Sequence, residues 1–200
     1  MSDVLSRVRA GLRDHFTRMG IDAEPVAASV TFLGAEPIDV VRFYVPDDSN
    51  FPAVHYISLG CSRHPMVDPA ELLADPVRGP RAEVAVALRG SSPKGLARSV
   101  AVVAAAPAVE GLILEPDALV DLETPLWQGA PFSAYLLGRS DIGDIALPEP
   151  LSPVTVLSAV PITATEAAWV RLKGAGAMRD AWVQDGVDPT DPQRRAANPA

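Results

Sequence analysis

Apolar residues near the start of the chain recur at helical spacing: Val4, Leu5, Val8, Leu12, Phe16 and Met19. Arg7, Arg9, Arg13, Asp14 and Arg18 fill most of the opposite side, so the pattern predicts an amphipathic helix. Ser2 or Asp3 can cap its start, and Gly20 stands where a left-handed terminal residue belongs. The period then drops to two. "EPVAASVTFLG" predicts a strand over 26–33, and "IDVVRFYVPDD" puts Val41, Phe43 and Val45 opposite Arg42 and Tyr44 before stopping at Pro46. "VHYISLG" sets Val54, Tyr56 and Ser58 against His55, Ile57 and Leu59. "RAEVAVALRG" sets Val84, Val86 and Leu88 against small alanines. Three of these four strands lie within about twelve residues of a neighbour with no helix between, which favours antiparallel pairing.

The second half changes character. "KGLARSVAVVAAA", Lys94 to Ala106, predicts a buried helix bracketed by Pro93 and Pro107, with strand as the alternative its valines leave open. "PFSAYLLGR" and "PVTVLSAVPI" read as strands. "TATEAAWVRLKG" opens with a capping box between Thr163 and Glu166, and Gly174 and Gly176 interrupt it before a last helix, "AMRDAWVQDG". Trp169 and Trp182 fall on these helices as core or interface anchors, while Trp127 lies apart. The expectation is an α+β fold, a mixed and largely antiparallel sheet with helices packed on both faces. One domain spans 1–186, and a disordered polar tail spans 187–200.

Composition narrows the function classes. Seventeen Lys and Arg against 25 Asp and Glu give a net charge of −8, which argues against a non-specific nucleic-acid binder. A single cysteine cannot form a disulfide within the chain, and it fits a reducing, cytoplasmic setting. "MSDVLSRVRAGLRDHF" has no uninterrupted apolar core, and "SVAVVAAAPAVEGLIL" is broken by Pro107, Glu110 and Gly111, so neither a signal peptide nor a membrane span is expected. Twenty prolines imply many loops between short elements.

Candidate chemistry concentrates in "VHYISLGCSRHPMVDP", which holds His55, Cys61 and His64. Zinc needs three or four converging ligands, and an extended strand would hold His55 roughly 20 Å from Cys61. Cys61 as nucleophile beside His64 lacks a nucleophile elbow. "RGSSPKG" lacks the order of a phosphate loop, and "KGAGAM" follows a helix where a dinucleotide fingerprint needs a strand. Asp47 with Asp48, and Asp141 with Asp144, are paired acids in loops, open to acid–base work but commoner as solvated turns. The segment therefore reads as architecture: a strand end, a turn at Gly60, an exposed loop of Ser62, Arg63 and His64, and Met66 tucked back. Ser58 and Ser62 would bond backbone groups within that turn.

Taken in order, these blocks resemble the Suppressor of Fused-like domain family, over roughly residues 1 to 184. Tyr56, Ser58, Gly60, Ser62, Pro65 and Met66 match a strand-and-loop motif; Glu83 and Val84 match a following strand; Val160, Pro161, Ile162, Thr163 and Glu166 match a strand running into a capped helix. Where the family often carries a tryptophan–proline pair before the central helix, this chain has "SSPKG". The resemblance implies a mixed sheet with helices on both faces and a non-enzymatic role. The animal relative clamps a peptide of a transcription factor, and some bacterial relatives resemble immunity proteins against toxins.

The expected function is a non-catalytic intracellular protein-binding domain for a protein or peptide partner of basic character, with no cofactor and no metal. The candidate contact residues are Asp47, Asp48, Ser62, Arg63, His64, Asp141 and Asp144. The alternatives are a hydrolase-like enzyme using Cys61, His64 and loop carboxylates, and an oligomeric structural module.

Overall fold

The computed structural model describes residues 2–46, 52–70, 75–90 and 92–197. The side chains of Ser2 and Asp3, and all of Asp47 and Asp48, lie outside the described residues. The elements are α1 (Ser2–Arg18), β1 (Val26–Val30), β2 (Ile38–Val45), β3 (Ala53–Leu59), β4 (Arg81–Arg89), α2 (Leu96–Glu110), β5 (Leu119–Asp121), β6 (Phe132–Ile145), β7 (Val154–Thr163) and α3 (Ala164–Gln184). The strands form one seven-stranded sheet in the order β1-β2-β3-β4-β7-β6-β5. Every pair is antiparallel except the central one, β4 with β7. The parallel pair follows from a long excursion through α2, β5 and β6 between the two strands, which a reading of neighbouring strands could not show.

Alternation along the strands decides which helix lies on which face. Val40, Val54, Tyr56, Val84 and Val86 point to one side and pack with Leu96, Val100, Val103 and Ala104 of α2. That helix is apolar nearly all round, as the alanine–valine run requires of a buried element. It extends past its expected end: Pro107 sits inside its last turn, and Gly111 closes it in the left-handed conformation. On the opposite face α1 brings Val8, Leu12 and Phe16 onto Val41, Phe43 and Ile57. The Phe16 and Phe43 rings stack 4.0 Å apart. Beside it α3 packs Ala167, Val170, Met178 and Trp182 onto Ala134, Leu136 and Ile162. Gly174, at φ 85° and ψ 166°, breaks α3 into two segments, as the glycine pair implied.

Two strands depart from expectation. The first ends at Val30 rather than Leu33, and the strand from Phe132 runs on to Ile145 across an irregularity between Arg139 and Asp144. The tail corrects the sequence reading more sharply. Expected to be disordered from Val187, it packs as far as Ala197, and Arg194 and Ala197 are buried. The reason is a buried partner elsewhere in the chain, described below. No helix among the described residues is long and apolar enough to cross a membrane.

Candidate functional site

The loop after β3 is built around one carboxylate. Gly60 turns the chain at φ 151°, and a Cβ there would lie 2.9 Å from Ile38 Cδ1 and 3.2 Å from the Pro37 carbonyl, so only glycine fits. A single 3₁₀ turn, Cys61–Arg63, follows. Glu83 Oε1 accepts from the Gly60 N–H at 2.8 Å, the Ser62 N–H at 3.0 Å and Ser62 Oγ at 2.6 Å, while Oε2 accepts from Ser58 Oγ at 2.5 Å. Glu83, Ser58 and Ser62 are all fully buried. Arg81 donates to the carbonyls of Ser62 and Arg63 at 2.8 and 3.0 Å, and the Met66 N–H donates to the Pro80 carbonyl at 2.7 Å. The start of β4 thus straps the loop down. Ser62 is not in an exposed loop as expected, and neither serine hydroxyl bonds the backbone of the turn: both donate to Glu83, and Ser58 Oγ accepts from the Val84 N–H of β4.

A second buried carboxylate organises the opposite end of the chain. Glu166 completes the capping box with Thr163, whose N–H it accepts at 2.9 Å and whose Oγ1 accepts from the Glu166 N–H. It also accepts from Trp182 Nε1, both terminal nitrogens of Arg194 and the Ala197 N–H. Arg194 stacks 4.9 Å from the Phe132 ring and 5.6 Å from that of Trp182. Burial pushes the Glu166 carboxyl up, but the bonds from Arg194, Thr163, Trp182 and Ala197 outweigh it and hold its pKa below the ordinary value. A capping box was legible in the sequence; the guanidinium 28 residues further on was not.

The reactive candidates do not converge. His55 lies within β3, edge-on to Phe16 at 5.4 Å. Cys61 begins the 3₁₀ turn, and burial, followed by the charge of Glu83, raises its thiol pKa well above the ordinary value. His64 is exposed and pairs through Nε2 with Glu36 at 2.9 Å; Arg63 NH1 lies 3.6 Å from the same carboxylate. Among the described residues no three His, Cys, Asp or Glu side chains are grouped to hold a metal ion.

A cleft brings other residues together. It has a volume of about 370 Å³ and opens on the face that α1 and α3 share. Its walls include His15 and Met19 of α1, His55 of β3, Asp141 of β6, and Pro189 and Thr190 of the tail. The tail is fixed there by the Arg89 N–H donating to the Thr190 carbonyl at 2.9 Å and by an ion pair between Arg89 and Asp188. Asp141 is exposed, and among the described residues it accepts no hydrogen bond and makes no salt bridge. Its charge reaches both His15 and His55. Asp144, three residues on, accepts from Thr155 Oγ1 at 2.8 Å. His15, on the predicted amphipathic helix, also belongs to this cleft; helical phase alone could not show what faced it.

Fold and polar interior together define an α+β domain whose mixed sheet is braced by buried carboxylates. The family model described as "Suppressor of fused protein (SUFU)" matches residues 34–195, and the chain belongs to that family. Among solved structures, a Neisseria gonorrhoeae protein described as a suppressor of fused homologue superposes with a TM-score of 0.62 at 15% identity, covering 96% of each chain. The Sufu–Fu complex gives a TM-score of 0.69 at 15% identity, covering 96% of this chain and 90% of that one. Drosophila Suppressor of Fused gives 0.68 at 15% identity, covering 94% of this chain and 49% of that one. A comparison with curated proteins returned no match.

Proposed function

We propose that this chain is a non-catalytic protein-binding domain that receives a basic protein or peptide partner in the cytoplasm. The observation that supports it most is a division of labour among polar groups. Ser62, Glu83 and Glu166, the side chains of the family motifs, are consumed as internal braces. Asp141 stands exposed at the mouth of a cleft with no bonded partner among the described residues. A related domain of this fold is known in complex with Fu. The contact surface comprises Asp141 and Asp144 on one side and Arg63 and His64 on another, with Asp47 and Asp48 as further acids; Ser62 is withdrawn from the set because it is buried.

A net charge of −8 raises the encounter rate with a basic partner, an effect that weakens with salt. Toxins that act on nucleic acid carry such surfaces, and we read the domain as an immunity protein for one of them. Affinity capture from native lysate at low and high salt tests this. Recovery of a basic protein that is lost at high salt supports the reading, and the absence of any salt-sensitive partner counts against it.

A further inference from the structure

The helices leave part of their shared sheet face uncovered. Over the middle of the sheet the positions that line the cleft between α1 and the tail are small: Ala85, which is buried, and the half-buried Ala87 of β4 and Ser158 of β7. Small side chains on adjacent strands leave a recess, where larger ones would have filled it. The size of the recess lies within the range of small-molecule and side-chain pockets, which are apolar with a few convergent polar groups.

Besides Arg139 and three hydroxyls, its lining holds three titratable groups, Asp141, His15 and His55, that offer acceptors. The Asp141 carboxylate can only accept. Burial lowers the pKa of His55, with the charge of His15 adding to the effect; burial and then Arg18 do the same at His15. Both rings are therefore neutral at pH 7, and each offers one acceptor nitrogen. An anionic guest would meet Asp141, and an apolar one would leave Asp141, His15 and His55 unmatched. An ammonium brings its donors to a single point, whereas a guanidinium spreads five across a plane and suits acceptors held on separate walls. Met19 and Pro189 supply apolar flanks for an aliphatic stem.

We propose that this cleft receives one arginine side chain of the partner, its guanidinium held by Asp141 between the His15 and His55 imidazoles. The site deepens, and rests on, the protein-binding function above. Arg139 is the one cation lining the cleft, and among the described residues its guanidinium makes no ion pair. It gives the proposal an internal check, because an anion-binding cleft would depend on it.

The test titrates the full chain with arginine amide, lysine amide and N-acetylglutamate, following the imidazole resonances of His15 and His55 with His64 as control. Arginine amide is expected to shift the first two saturably and leave His64 unmoved, with lysine amide weaker and the anion silent. Asp141→Asn should weaken binding roughly tenfold, Ala87→Leu should abolish it by filling the floor, and Arg139→Gln should leave it intact. Asp141 is exposed, so its variant keeps the test decisive if Ala87→Leu fails to fold. No saturable shift with arginine amide, a response that survives Asp141→Asn, or binding of N-acetylglutamate that needs Arg139 would each overturn the site. Salt-sensitive capture of a partner without amide binding would sink the cleft and spare the function. Amide binding with no captured partner would do the reverse.

Discussion

Arg194 meets both oxygens of the Glu166 carboxylate, NH1 at 2.8 Å from Oε1 and NH2 at 3.0 Å from Oε2, with both side chains buried. A fork-on-fork pair of this kind is among the stronger charge-assisted arrangements, yet its members are desolvated and depend on one another. Arg194→Met should therefore destabilise the domain by about 3–5 kcal/mol, because it leaves a buried carboxylate uncompensated. Removing residues from 187 onward should do at least as much. Urea denaturation followed by tryptophan fluorescence measures both; a loss within experimental error of zero would show that the tail does not bind in solution.

The same pair sets a pH dependence. Since the Glu166 pKa is lowered in the folded state, the unfolded chain takes up the proton first as pH falls. The stabilisation is complete above the ordinary value of 4.5 and is lost as pH drops through the folded pKa. His15 and His55, also lowered, act earlier: the unfolded chain protonates near 6.5, so stability begins to decline as pH falls below that value. Melting temperature against pH should show two descending segments. His55→Gln should flatten the upper one, and Arg194→Met the lower.

Glu83 makes the loop after β3 a single mechanical unit. Glu83→Gln turns an amide donor toward groups that already donate, and should cost about 2–4 kcal/mol; Ser58→Ala and Ser62→Ala should each cost about 1 kcal/mol. Their effects should be non-additive with Glu83→Gln, since all act through one carboxylate. A double-mutant cycle by denaturation checks this, and strict additivity would refute the shared brace.

Cys61 should behave as an inert thiol. Burial, with the nearby Glu83 charge, raises its pKa, so iodoacetamide at pH 7 should label it slowly, at a rate that climbs with pH as the thiol ionises. Fast labelling of the folded protein would revive the hydrolase-like alternative.

Much of the architecture was written in local pattern. The helical spacing of Val8, Leu12 and Phe16 marked an element and its buried face, the run from Val54 to Leu59 marked a strand, though both its faces are buried, and the capping box at Thr163 marked a helix start. What stayed hidden depended on separation in sequence. Glu83 reaches Ser62 across 21 residues and Ser58 across 25, so each serine looked like a turn residue acting on its own backbone. Pro107 looked like a terminus, but the helix tolerates it in its final turn. The tail reads as polar and proline-rich because its binding energy sits in one arginine whose counter-charge lies in α3. The cleft was invisible for a similar reason: the alanines of β4 showed as a weak face, and only packing reveals that α1 closes over Ala85 but leaves Ala87 at the cleft.

The dependence of Glu166 on Arg194 also bears on synthesis. A ribosome delivers the carboxylate well before its cation, with 28 positions still to come, so a nascent chain carries a charge that its helix cannot yet bury. Closure of the α3 face must wait until translation has passed Arg194. Until then the emerging domain leaves Trp182 and Phe132 without their cationic cover, a surface that a chaperone would recognise.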